Sequence, residues 1–316
     1  MKKVDEIIMP DVAMRDAFIN KLYQIAAQDR RVILLSDDFG APSLDRFRRD
    51  LGKQYFSMGI AEQNMASVAA GLALSGKIVF MYAIASFITQ RCYEQMRLDL
   101  CNMNLPVTAV GVGVGFGYGT AGPTHHTIED ISLMSTLPGM TILSPCDNVA
   151  AEAFAEITYR EPGTKYVRLD REKLPSIYGP DQDFSEGLAH LKTGRELTII
   201  ATGIMVHRSF TVAAELAKHS IDAGIIDLYR IKPINEKLLL SCLKQSKKVL
   251  TLEENLVSGG VGSLVARILA ENGQTPAFKC MAIPDKHYFK YGGRNYLHSC
   301  CGLDAASITN VILEWL

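Results

Sequence analysis

Three side chains that could together bind a ligand and exchange a proton with it lie close together in the sequence. Glu62 follows the turn Met58-Gly59-Ile60 and falls in the first turn of a predicted helix, Ala61 to Leu74. Phe87 and Arg91 lie four residues apart in a second predicted helix and therefore share a face. Alone, Glu62 would be a partner of the helix dipole and Phe87 a packing residue. Together they place a carboxylate, an aromatic ring and a guanidinium near element ends, where parallel α/β sheets bind ligands.

Polar residues in three other segments are weaker candidates. Asp38 follows a predicted strand, where turn chemistry alone would explain it. His125 follows a glycine-rich run, which predicts a flexible loop that lets backbone approach a ligand. This run is a poor dinucleotide fingerprint, because residues 120–127, with a proline and two histidines, separate it from the next helix. Arg171 could bind an anion through two N–H groups or form a surface ion pair.

Helix and strand patterns alternate along the chain, which predicts an α/β fold. A buried strand is predicted at Ile78–Tyr82, between the two helices that carry Glu62 and Phe87. Prolines and glycines before residue 188 indicate a linker, so we predict domains at 1–178 and 188–316, joined by 179–187.

Composition excludes several classes of function. The chain has 316 residues, a formal net charge of −1 and 48% hydrophobic residues. The even charge pattern argues against a nucleic-acid partner, and no apolar run approaches the ~20 residues that span a bilayer. The N-terminal stretch lacks the features of an export signal. Seven scattered cysteines without a C-x-x-C pair predict reduced thiols in the cytoplasm and no metal site within this chain.

Several motifs together resemble the transketolase family of thiamine-diphosphate-dependent enzymes. They are MGIAEQNM, AAGLALSGK, F-x-x-x-R-x-Y-x-Q-x-R from Phe87, GPTHHTIEDISLM, IKPI and EEN followed by GGVGS. The resemblance covers about residues 11–312. It implies a parallel-sheet pyrimidine-binding domain followed by a transketolase C-terminal-like α/β domain. Because the second domain is chiefly architectural in that family, Gly259, Gly260 and Gly262 are expected to serve packing and not nucleotide binding.

The resemblance also implies roles toward the cofactor, thiamine diphosphate. Glu62 would hydrogen-bond the aminopyrimidine, favour its imino tautomer and so promote loss of the thiazolium C2 proton. Phe87 would stack on the pyrimidine, and Arg91 would fix the neighbouring loop or the ring edge. Ile60 would line the cofactor site, and Asp38 would approach the cofactor from a second subunit.

For the substrate, a ketose that is expected to be phosphorylated, the resemblance assigns two residues. His125 would contact a substrate oxygen and assist proton transfer, and Arg171 would hold the phosphate. Two departures from the family bear on the substrate. Ala121 replaces the acidic residue that usually contacts a hydroxyl of the sugar, and Ile84 stands where many transketolases have a second aromatic near the pyrimidine, so recognition of the acceptor is expected to differ. His126 stands where the family commonly has glutamine, and its role is open.

No Gly-Asp-Gly motif is present, although thiamine enzymes use one to hold the diphosphate and its Mg²⁺ or Ca²⁺. Mg²⁺ prefers oxygen ligands and phosphates. We therefore expect a separate N-terminal subunit to carry the diphosphate and the metal. The expected complex is α2β2, in which this chain self-associates through its pyrimidine-binding domain.

Three hypotheses for the function remain at this stage. The first is a transketolase subunit that transfers a two-carbon ketol unit from a ketose to an aldose. The second is a related thiamine enzyme, either the β subunit of a 2-oxo acid dehydrogenase or a 1-deoxyxylulose-5-phosphate synthase-like carboligase. The Gly-Pro-Thr-His motif argues against the dehydrogenase. The third is a non-catalytic interaction protein, which the joint presence of Glu62, Phe87 and His125 disfavours.

Overall fold

The computed structural model describes residues 12–38 and 40–316, which divide into two compact units. The first unit includes Thr136–Asp183 and the described residues up to Val114. The second includes Gly115–Ser135 and Phe184–Leu316. The predicted domain limits, 1–178 and 188–316 around a linker at 179–187, stay a prediction. The N-terminal stretch used to argue against an export signal lies, up to residue 11, outside the described residues.

Strands and helices alternate along the chain, which confirms the predicted α/β class. The strands are β1 (Val32–Ser36), β2 (Tyr55–Ser57), β3 (Ile78–Ile84), β4 (Val107–Val112), β5 (Thr141–Leu143), β6 (Lys165–Leu169), β7 (Ala189–Lys192), β8 (Leu197–Ala201), β9 (Ala223–Asp227), β10 (Arg230–Lys232), β11 (Lys248–Leu256) and β12 (Ala277–Ile283). The helices are α1 (Met14–Gln28), α2 (Leu44–Asp50), α3 (Glu62–Leu74), α4 (Ala85–Gln90), α5 (Tyr93–Gln95), α6 (Asp130–Ser135), α7 (Asn148–Arg160), α8 (Ile204–Lys218), α9 (Glu236–Leu243), α10 (Val261–Glu271), α11 (Arg294–Cys301) and α12 (Ala305–Trp315). A π-helix spans Met96–Cys101, and a 3-10 turn spans Gly119–Ala121.

The first unit is built on parallel strands in the order β5-β6-β4-β3-β1-β2. Strands β1, β4 and β6 are buried along their whole length, as expected for a parallel sheet covered on both faces. Because the strands are parallel, their carboxyl ends lie at one edge of the sheet. The loops that carry the candidate residues of this unit begin at that edge.

Helix α3 follows the predicted limits closely. It buries alanines 66, 69, 70 and 73, whose small side chains pack the helix close to its neighbours. The helix ends at Leu74 with Ser75 as its C-cap, and Gly76 then takes a φ of +83°, the left-handed conformation that glycine adopts most easily at a helix end. This helix terminus directs the chain into β3.

The second unit contains a sheet in the order β12-β11-β8-β9-β7, in which β7 alone is antiparallel to its neighbour. Segment 115–135 is tied to β11 and the residues that follow it. The Leu256 N–H donates to the Ile128 carbonyl at 2.7 Å, and the Ser132 hydroxyl donates to the Ser258 carbonyl at 2.6 Å. These bonds explain why the segment groups with residues far later in the chain.

No helix within residues 12–38 and 40–316 is long and apolar enough to cross a membrane. In the same residues, no three histidine, cysteine, aspartate or glutamate side chains are grouped so that they could hold a metal ion.

Candidate active site

Glu62 begins helix α3 immediately after a glycine turn. Gly59 has a φ of +67°, a conformation that suits glycine, and it directs the chain from β2 into the helix. The Glu62 residue is only 4% exposed. A buried carboxylate needs a charged or hydrogen-bonding partner, and Arg91 provides one, with 2.9 Å between Nη1 and Oε1. The helix start and the ion pair together fix the position of the carboxylate.

Arg91 links Glu62 to Phe87. Its guanidinium carbon lies 3.7 Å from the centroid of the Phe87 ring, a close cation–π contact. The Phe87 side chain is half-buried, and 44% of the Arg91 side chain is exposed. The structure therefore brings together the carboxylate, the ring and the planar cation that the sequence predicted as a group. Burial and the charge of Glu62 raise the pKa of the adjacent Cys92 thiol to about 12.

The other candidates of the first unit lie at the same edge of the sheet. The backbone of Met58 donates to the Ser36 carbonyl, and that of Asp37 donates to the Tyr82 carbonyl. These bonds continue the pairing past the carboxyl ends of β1 and β2. Asp38 and Ile60 follow directly, both exposed, with Ile60 at 71%. Arg171 is also exposed and lies two residues after β6.

His125 belongs to the second unit, in a loop whose ends are paired. Gly115 and Thr127 exchange two backbone hydrogen bonds of 2.8 Å, which closes the loop into a hairpin-like segment. The His125 backbone donates to the Gly122 carbonyl at 3.0 Å. Its half-buried ring has Nδ1 at 2.9 Å from the Thr124 hydroxyl oxygen. These contacts orient the imidazole from its own loop.

His126, whose role the sequence left open, is buried. Its ring lies edge-on to Phe116, with 5.0 Å between centroids, and Nε2 is 3.4 Å from the Gly119 carbonyl oxygen. Burial lowers the pKa of His126 below its ordinary value. The side chain therefore packs within the loop.

The sequence interpretation missed a buried cluster of ionisable residues in the second unit. Glu254, in β11, is 5% exposed and binds both Arg294 and His298 of α11. Burial disfavours its charge, but Arg294 and His298 outweigh that effect and keep the pKa of Glu254 below its ordinary range. The available signal was a pair of adjacent carboxylates, Glu253 and Glu254, inside an otherwise apolar strand pattern.

Two family models cover nearly the whole chain. The model described as transketolase, pyrimidine binding domain, matches residues 10–176. The model described as transketolase, C-terminal domain, matches residues 187–308.

Named relatives match over almost their full length. The chain is 33% identical to one of the subunits of the apulose-4-phosphate transketolase of Phocaeicola vulgatus, over 96% of this chain and 98% of that protein. It is also 33% identical to the 6-deoxy-6-sulfo-D-fructose transketolase subunit SqwH of a Clostridium species, over 99% and 98%. A solved structure described as a split gene transketolase, inactive beta4 tetramer, is 30% identical, with a TM-score of 0.87 over 96% of this chain and 98% of that one.

Proposed function

The chain belongs to the transketolase family, and we propose that it is the subunit of a split transketolase that contributes the pyrimidine-binding and C-terminal domains. Enzymes of this kind transfer a two-carbon ketol unit from a ketose to an aldose acceptor. The observation that carries the proposed mechanism is the buried Glu62 carboxylate, bonded to Arg91 beside the face of Phe87.

The residues around Glu62 fit the aminopyrimidine of thiamine diphosphate. A flat heterocycle with ring nitrogens needs an aromatic face and a hydrogen-bonding carboxylate. The flat guanidinium of Arg91 already makes both contacts, on Phe87 and on Glu62. When bound, the cofactor supplies the electron sink for breaking and forming the carbon–carbon bond. We assign these three residues to the pyrimidine, with Ile60 at the same edge and Asp38 reaching from a second copy of the chain.

Glu62 performs proton transfer in this assignment. With the cofactor bound, its carboxyl group would share a proton with a pyrimidine nitrogen, and its burial would keep water from competing for that contact. General acid–base catalysis of this kind contributes about 10²–10⁴-fold in rate. On the substrate side, His125 holds or moves a proton at a sugar oxygen, oriented by Thr124. The exposed guanidinium of Arg171 binds the phosphate through paired N–H donors.

A partner subunit completes the enzyme. The sequence has no Gly-Asp-Gly motif, so we assign the diphosphate and its Mg²⁺ or Ca²⁺ to an N-terminal subunit in an α2β2 complex. The similar split-gene protein is described as an inactive beta4 tetramer, which supports self-association of this chain and inactivity without the partner. We also place the complex in the cytoplasm, because an odd number of scattered cysteines suits a reducing compartment.

The substitution Glu62→Gln tests the proposed mechanism. It keeps the shape of the side chain and removes its acid–base capacity. We expect deuterium exchange at C2 of thiamine diphosphate to slow by about 10²–10⁴-fold in the enzyme reconstituted with its partner, with unchanged partner binding. Proton NMR of the cofactor after quenching measures this exchange.

The matched control is Asp147→Asn, another buried carboxylate of the first unit. Asp147 caps helix α7 and accepts N–H bonds from Ile177 and Tyr178, so this variant is expected to lose stability but to keep normal C2 exchange. If C2 exchange is as fast in Glu62→Gln as in the parent enzyme, Glu62 serves only as a partner of the helix dipole and the proposed mechanism is wrong.

A further inference from the structure

The loop that carries His125 is held against Glu254 of β11 through the backbone at Gly115 and Phe116. The Phe116 N–H donates to Oε1 of Glu254 at 3.1 Å. Gly115 has a φ of +59°, and a Cβ atom placed there would lie 1.9 Å from Oε2 of the same carboxylate. Only glycine therefore allows Glu254 to approach the backbone at this point. Because Gly115 pairs with Thr127, this attachment also fixes the other end of the loop.

Glu254 is itself held rigidly. Arg294 binds it as a fork, with Nε at 2.9 Å from Oε1 and Nη2 at 2.5 Å from Oε2. His298, one helical turn further along α11, lies with Nε2 at 2.6 Å from Oε1. All three residues are at most 6% exposed. A two-point fork fixes the orientation of a carboxylate as well as its place, and a fully partnered buried network stabilises one arrangement.

The Phe116 ring gives the loop a second point of attachment. It lies edge-on to His126, with 5.0 Å between centroids, and edge-on to Tyr288, at 5.5 Å. His126 directly follows His125 in the chain. The contacts therefore run without interruption from α11, through Glu254 and Phe116, to the residue next to the candidate catalytic histidine.

We propose that Glu254, oriented by Arg294 and His298, is a positioning residue that fixes the Gly115–Thr127 loop and so sets the place of His125 for ketol transfer. The catalytic consequence rests on the proposed role of His125, whereas the effect on the loop does not. Glu253 provides a matched contrast on the same strand. It is fully buried, and it accepts from the backbone of Val261 and Gly262 at the start of α10.

Hydrogen exchange, followed by mass spectrometry on the full chain bound to its partner, tests the structural half. In Glu254→Gln, amides in peptides that span residues 115–128 are expected to exchange about 10–100-fold faster, the factor for one lost charged hydrogen bond. In Glu253→Gln, the increase is expected at the start of α10 and not in residues 115–128. Equal exchange of the loop in the two variants would overturn the proposal. If circular dichroism shows that Glu254→Gln does not fold, His298→Phe is tested in its place. This variant keeps an aromatic ring but removes one hydrogen bond to the carboxylate, and its loop is expected to exchange about tenfold faster than in the parent.

A double-mutant cycle tests the catalytic half, with xylulose 5-phosphate as donor and ribose 5-phosphate as acceptor. If Glu254 acts through His125, the substitution Glu254→Gln alone should lower kcat/KM at least tenfold. It should have almost no further effect in a His125→Ala background. If the losses in kcat/KM of Glu254→Gln and His125→Ala multiply in the double variant, the positioning role is overturned. If the parent enzyme does not turn over these sugars, the proposed function has failed on this substrate pair, and the exchange experiment still decides the structural half.

Discussion

Ala121 lies close to the candidate catalytic histidine and lacks the carboxylate that the family usually has there. It is exposed at the end of the 3-10 turn, and the next residue, Gly122, accepts the backbone N–H of His125. A carboxylate at 121 would thus project from the same short loop as the imidazole. The acceptor site of this enzyme is expected to bind sugars that do not need that acidic contact.

We predict that Ala121→Asp changes the choice of acceptor. The new carboxylate can accept a hydrogen bond from a hydroxyl next to the acceptor's carbonyl, and a hydrogen bond to a charged group is worth about tenfold in selectivity. The measurement is the ratio of kcat/KM for two aldoses that differ at that hydroxyl, because specificity resides in this ratio. Ala121→Asn serves as a control for size. A ratio that stays constant across all three proteins would contradict the assignment.

The group formed by Glu62, Phe87 and Arg91 could be predicted from the sequence because its members lie near one another in the chain. Glu62, Phe87 and Arg91 lie within 29 positions, and the helical repeat alone places Phe87 and Arg91 together. Glu254 could not be found in this way, because its backbone partner Phe116 lies 138 positions away. Helix and strand periods encode which face a residue occupies, but not which distant residue packs against it.

At the scale of elements, the second helix of the site differs from its prediction. The sequence predicts one helix that carries Phe87 and Arg91, whereas the structure divides this region into α4, α5 and the π-helix. The break occurs at Cys92, whose φ of −110° and ψ of 24° leave the helical region. The sequence has no proline or glycine at this point, so the break comes from tertiary packing and not from local propensity.

The glycine-rich turn before α10 agrees with its predicted packing role. The carboxylate of Glu253 already accepts the first backbone N–H groups of the helix, where a phosphate would otherwise bind. A Cβ atom on Gly260 would lie 2.1 Å from Glu253 Oε2, and one on Gly262 would lie 2.3 Å from the Cys280 sulfur. The glycines therefore make room for the chain's own side chains.

Strand β6 begins with a buried lysine, which predicts an unusual dependence of stability on pH. Lys165 is 1% exposed, and its Nζ donates to the Glu161 carbonyl. Burial lowers its pKa to about 8, from an ordinary value of 10.5, despite the opposing charge of Glu161. The folded state thus binds fewer protons than the unfolded state between these values, so the free energy of unfolding rises as the pH rises through this range.

Lys165→Met should remove this dependence. Between pH 7 and pH 10, the unfolding free energy of the parent is expected to rise by on the order of 2 kcal/mol relative to that of the variant. Urea unfolding at both pH values measures the change. Lys53→Met, at an exposed position of the same unit, should show no such change. If the difference in unfolding free energy between Lys165→Met and the parent stays constant with pH, the buried amine titrates normally and the prediction is wrong.

For the whole molecule, the decisive property is dependence on the partner subunit. We predict that this chain alone binds thiamine diphosphate with Mg²⁺ weakly and catalyses no transfer, because the diphosphate and the metal are assigned to the partner. Titration calorimetry on the isolated chain, then on the reconstituted complex, measures the difference. Tight binding of one cofactor per chain in the isolated protein would contradict the split-enzyme assignment.

The grouping of Gly115–Ser135 with the later residues also has a consequence for synthesis on the ribosome. The backbone of Phe116 is made 138 residues before the carboxylate that binds it. At about 5–20 residues per second, the loop waits roughly 7–28 s for that partner. Arg294, which orients the carboxylate, comes later still. We therefore expect the loop to be one of the last parts of the nascent chain to fold, exposing Phe116 to chaperones in the meantime.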